Sequence, residues 1–97
     1  MTTYNGWTNY ETWRVNLEVI DEAADFWVEA LEYYQDEGGC DIDEAINMLA
    51  SAMQENTEEF AYEGIEGNII AESAVATYLN NVNWLEIAKH IADLVEA

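Results

Sequence analysis

Basic side chains are almost missing from this chain. Its 97 residues contain two, Arg14 and Lys89, against 21 Asp and Glu, for a formal charge of -19. Two cations cannot line the positive groove that direct binding of nucleic acid requires. The same sign disfavours docking on anionic lipid. Cys40 is alone, so an intramolecular disulfide is excluded and a reducing compartment is the simpler setting. His90 is also alone, which leaves no His-paired metal site and no His/Cys catalytic pair. Glu86 and His90 are four apart, not the three of the Glu-x-x-His di-iron motif. The acidic stretch from Asp36 to Glu44 lacks the calcium-loop pattern. No glycine-rich loop suited to phosphate occurs. Neither enzymatic activity, nor a cofactor, nor a metal is expected. The opening up to Trp7 has no basic segment followed by an apolar one, so a signal peptide is not expected. No apolar run approaches the length that spans a bilayer. The expectation is a cytoplasmic protein.

What is present points to a folded acid. The chain is 51% hydrophobic and carries four Trp, six Tyr and two Phe, more than disordered acidic chains have available to bury. Proline is absent, and four of the five glycines fall in two groups, Gly38-Gly39 and Gly64/Gly67. The length suits one domain, residues 1–97.

Apolar residues recur at helical spacing almost throughout. Tyr10, Trp13, Leu17 and Ile20 form a first series, with Thr8 and Glu11 as a capping box before it. Ala24, Trp27, Leu31 and Tyr34 continue the rhythm. A single helix through both would exceed about 35 Å, so a bend or break is expected near Asp21. The alternation in Val15-Asn16-Leu17-Glu18-Val19 also allows a short strand near residues 15–19. Gly38-Gly39 ends the second helix. Asp41 with Glu44 caps a third, whose stripe is Ile42, Ile46, Leu49, Met53 and Phe60. Asn68 caps Ile69 to Leu79. Asn83 with Glu86 opens the last helix, with Trp84, Ile87, Ile91 and Val95 on one face. Trp13, Trp27 and Trp84 are expected in the core, and His90 at the surface or a helix C-terminus. The fold class is all-α, a compact single domain of four to five helices.

The acids are placed as deliberately as the apolar residues. At 100° per residue, Glu22, Asp25, Glu29, Glu32 and Asp36 share an arc of about 80° opposite the apolar stripe. They make a rail about 21 Å long with roughly one charge per turn. Like charges at this spacing weaken a helix by a few tenths of a kcal/mol per pair, and no lysine or arginine is interleaved. Asp21, Glu37, Asp41 and Asp43 extend the rail around the glycine turn. A further cluster comprises Glu55, Glu58, Glu59, Glu63 and Glu66. The C-terminal third is sparser in acids and carries Lys89 and His90. Duplex DNA has about one negative charge per 1.7 Å of axis, so nineteen charges match roughly ten base pairs, or about 32 Å. A carboxylate surface that competes with DNA for a basic site is therefore the leading expectation. Its contact residues would be Glu22, Asp25, Glu29, Glu32 and Asp36, with Asp21, Glu37, Asp41 and Asp43 behind them.

The opening Tyr4-Asn5-Gly6-Trp7-Thr8-Asn9-Tyr10-Glu11-Thr12-Trp13 resembles the start of a group of small acidic proteins carried by phages and other mobile elements. Val82-Asn83-Trp84-Leu85-Glu86-Ile87-Ala88 is similar to their C-terminal helix. Size, charge and opening together resemble the type I-F anti-CRISPR inhibitors that imitate double-stranded DNA. That resemblance implies a bacterial host cell and a CRISPR RNA-guided surveillance complex as partner, with its basic DNA channel occupied. It assigns no individual contact residue, since the shared run is aromatic and polar. Two alternatives carry different partners: a DNA mimic directed at a restriction enzyme or histone-like protein, and an acidic helical adaptor that binds through apolar surface.

Overall fold

The computed structural model describes residues 4–96; the first three residues and the last lie outside them. Five α-helices follow one another: α1 (Tyr10–Val15), α2 (Ala24–Asp36), α3 (Ile42–Glu63), α4 (Ile69–Asn80) and α5 (Trp84–Glu96). No strand occurs among the described residues, apart from a single bridge between Tyr4 and Trp7. The all-α single domain expected from periodicity is what forms.

The core is a three-helix unit in which α2, α3 and α5 pack on one another, while α4 lies against α3. Trp27 and Leu31 enter from α2, Leu49 and Met53 from α3, and Ile87 and Ile91 from α5. Ala45, Ala50, Ala88 and Ala92 are buried between them, and their small side chains let α3 and α5 approach closely. Each fully buried Leu or Ile contributes about 1.5–3 kcal/mol.

The caps explain where the helices begin. Asp41 Oδ1 accepts from Glu44 N at 2.9 Å, Asn68 Oδ1 from Ala71 N at 3.1 Å, and Asn83 Oδ1 from Glu86 N at 3.1 Å. All three satisfy amide groups that a helix start leaves free. At the end of α2, the amides of Glu37 and Gly38 both donate to Tyr33 O. A Cβ at Gly38 would come within 2.6 Å of Tyr34 O, and Gly39 has φ +67, so this turn requires its glycines.

The first helix departs from the sequence reading. A strand near residues 15–19 does not form: Val15 ends α1, Asn16–Ile20 is a π-helical turn and Asp21–Ala23 a 3₁₀ turn. This irregular segment supplies the break expected near Asp21. Its i→i+5 bonding changes the phase of the residues that follow it, but the buried face already differs from the expected one in α1, ahead of the turn. Thr12, Val15, Asn16 and Ile20 point inward, whereas Tyr10 and Leu17 are exposed and Trp13 is half-buried. Trp13 instead joins an outer aromatic group, 4.9 Å from Tyr4 and 5.8 Å from Tyr10 by ring centroids.

The cap of α1 is Asn9, not Thr8: Asn9 Oδ1 accepts from Thr12 N at 2.9 Å. The Thr8 amide donates instead to Glu86 Oε1 at 3.0 Å, across 78 residues of chain. Phe60, expected in the α3 stripe, is 77% exposed, and Thr57 is the last residue of α3 to be buried. Trp7 lies edge-on to His90, with ring centroids 5.2 Å apart, which leaves His90 half-buried in α5.

Candidate functional site

The α2 helix faces the core through Trp27 and Leu31, so its opposite side is committed to solvent. Asp25, Glu29, Glu32 and Asp36 all lie on this one helix and share an arc of about 60° at its 100° repeat. From first to last they span roughly 16 Å of axis. Glu22 stands apart from the rail as read from sequence. It belongs to the 3₁₀ turn, and Ala23, at φ -113 and ψ 27, breaks the helical phase before α2 begins. The regular rail therefore has four members, with Asp21 and Glu22 preceding it in the turn.

All nine candidate carboxylates, Asp21, Glu22, Asp25, Glu29, Glu32, Asp36, Glu37, Asp41 and Asp43, are exposed. Asp41 has a structural duty as well, since one carboxylate oxygen caps α3. The chain folds over the glycine turn so that Asp36 and Glu37 at the end of α2 precede Asp41 and Asp43 at the start of α3.

No carboxylate is buried among the described residues. Their one ion pair joins Arg14 Nη2 to Glu18 Oε1 at 2.8 Å, and Arg14 also donates to the Tyr10 hydroxyl. The hydrogen bond and charge of Glu18 raise the guanidinium pKa above its ordinary value. Lys89 is exposed on α5 and lines a shallow depression with Glu86 and Asp93. Neither cation lies on α2. The molecule measures 41 × 31 × 21 Å, so its net charge averages about one per 2 Å of the long axis, close to the density of duplex DNA.

The charge is unevenly spread. Ile69, Ile70, Ser73, Ala74, Thr77 and Asn80 make up the exposed side of α4, and none is charged. Glu59, Glu63, Glu66 and Glu72 with Tyr62 line an open acidic depression where α3 gives way to α4.

Three exposed features escaped the sequence reading. Phe26 and Tyr33, seven residues apart, lie along one side of the rail, and their position off the Ala24–Trp27–Leu31–Tyr34 stripe was the signal available. The third is an apolar groove of about 320 Å³ between the end of α1, the π-helical turn, α3 and α4. Residues from four elements build it, so no local pattern announces it.

A family model described as a family of unknown function (DUF7249) matches residues 1–96. No curated protein and no solved structure matches the chain.

Proposed function

The chain belongs to DUF7249, a family of unknown function, and we propose that it is a stoichiometric inhibitor whose clustered carboxylates stand in for DNA phosphates. The observation that carries this reading is the exposed, uncompensated rail of Asp25, Glu29, Glu32 and Asp36 on α2. Self-repulsion destabilises such an arrangement, whereas a basic partner surface is attracted by it. The mechanism is occupancy: carboxylates pair with the Lys and Arg that would otherwise hold phosphates, and no covalent step is involved. Counterions leave both surfaces on association, so affinity falls with salt.

The target proposed is the one implied by the resemblance of size, charge and the Tyr4–Trp13 opening to type I-F anti-CRISPR inhibitors. It is the basic DNA channel of a type I-F CRISPR RNA-guided surveillance complex, in a bacterial cytoplasm. A competition gel-shift with that complex, labelled target duplex and increasing inhibitor tests it. Loss of the shifted duplex near equimolar inhibitor is the expected result. An undisturbed shift removes this target, and the same assay with a restriction endonuclease then tests mimicry itself.

A further inference from the structure

The apolar groove beside α4 has the makings of a second contact site, independent of the α2 rail. Val15 and Val19 supply one wall, Phe60 and Ala61 of α3 another, and Val75 and Tyr78 of α4 the third. None of the rail carboxylates lines it. The Thr57 hydroxyl beside these walls is buried with no hydrogen-bond partner. Phe60 projects almost fully into solvent at the groove, an arrangement that water disfavours and a partner's apolar side chain would relieve.

Charge defines the partner. Arg14 at the rim is neutralised by Glu18, and the adjoining depression is walled by Glu59, Glu63, Glu66 and Glu72. Glu72 and Val75 lie three residues apart on α4, about 4.5 Å along its axis. One apolar and one acidic subsite thus lie about one helical turn apart along α4. A second copy fits poorly, because it would bring a charge of -19 against -19. We propose that the groove seats an apolar side chain of a basic amphipathic helix in a partner protein, with that helix's Lys and Arg over Glu59, Glu63, Glu66 and Glu72. Grooves read amphipathic helices in this way through an apolar anchor and flanking charge.

Two labelled peptides of about 18 residues and equal positive charge serve as probes, a Leu/Lys amphipathic helix and a Ser/Lys control. Anisotropy should show the Leu/Lys peptide binding at least about tenfold more tightly, the gain from burying one leucine-sized side chain. Val19→Ser with Phe60→Ser should erase that excess and leave the Ser/Lys affinity unchanged. Both positions are exposed, and circular dichroism verifies that the double variant folds. Replacing rail acids should leave the Leu/Lys excess over Ser/Lys unchanged, so loss of the rail reading and loss of this one are separable. Equal affinities for the two peptides, or an excess that survives the double variant, would overturn the proposal. So would light scattering that finds a dimer in the parent and a monomer in the double variant, which would assign the groove to a second copy.

Discussion

Glu86 ties the two ends of the chain together by accepting the Thr8 amide at 3.0 Å, while its own amide is capped by Asn83 at 3.1 Å. Asn83 Nδ2 in turn reaches Thr8 Oγ1 at 3.3 Å, and Asn83 N donates to Thr12 Oγ1 at 2.9 Å. Asn9 Nδ2 closes the set on Asn81 O at 2.7 Å. The polar residues shared by the opening run and the α5 entry are thus each other's partners. These hydrogen bonds join the opening run to the entry of α5.

Thr12→Val tests that assignment. Thr12 is fully buried and its hydroxyl serves both Asn83 N and Asn9 Oδ1. Removing it strands a donor, for an expected loss of about 1–3 kcal/mol in urea unfolding. Glu86→Gln keeps an acceptor and is expected to cost about 1 kcal/mol or less. Neither folded variant should lose more competition with DNA than its unfolded fraction explains.

The rail variant Glu29→Gln/Glu32→Gln/Asp36→Asn should behave in the opposite way. It removes the like-charge pairs 29/32, 32/36 and 25/29, each destabilising by about 0.2–0.5 kcal/mol. It also takes a negative charge from the C-terminal end of α2, where the helix dipole disfavours one. The unfolding midpoint is expected to hold or rise while inhibition weakens. A folded triple variant with unchanged inhibition would remove the rail from the account.

Salt should stabilise the protein. With no buried carboxylate and one ion pair among the described residues, the dominant electrostatic effect is repulsion. Raising NaCl from about 0.01 M to 1 M shortens the screening length from about 30 Å to 3 Å. Calorimetry should show Tm increasing over that range; a falling Tm would mean that ion pairs outweigh repulsion.

Tyr78 gives an alkaline signature. Burial, followed by the charges of Tyr10 and Glu11, raises its phenol above the ordinary value of 10.0. The folded state therefore favours the neutral phenol. Its contribution is complete below pH 10.0 and is lost as pH rises through the raised folded value. Tyr78→Phe should make stability fall less steeply above pH 10.0 than in the parent.

Legibility in the sequence followed the regularity of the backbone, except at Phe60 of α3 and Val95 of α5, which lie on the expected stripes but are exposed. In α2 and α3 an unbroken 3.6-residue repeat put Trp27, Leu31, Ile46, Leu49 and Met53 where periodicity places them. The local caps Asp41, Asn68 and Asn83 were readable because each reaches an amide three residues on. The π-helical turn at Asn16–Ile20 was not, since extrapolating one repeat through it assigns Leu17 inward, whereas Leu17 is exposed. Thr8 looked like a cap because its amide's true acceptor, Glu86, is 78 residues away. The rail was legible apart from Glu22, whose phase is lost at Ala23. The groove was invisible because it exists only once four elements meet.

The most direct test is the salt dependence of binding to the purified type I-F surveillance complex, for the parent and for the Glu29→Gln/Glu32→Gln/Asp36→Asn variant. Carboxylates acting as phosphates should make log affinity fall linearly with log salt, and the variant's slope should be shallower by up to about 0.9 per lost contact. An affinity that is flat or rises with salt, or a variant slope equal to the parent's, would contradict DNA mimicry by the α2 rail.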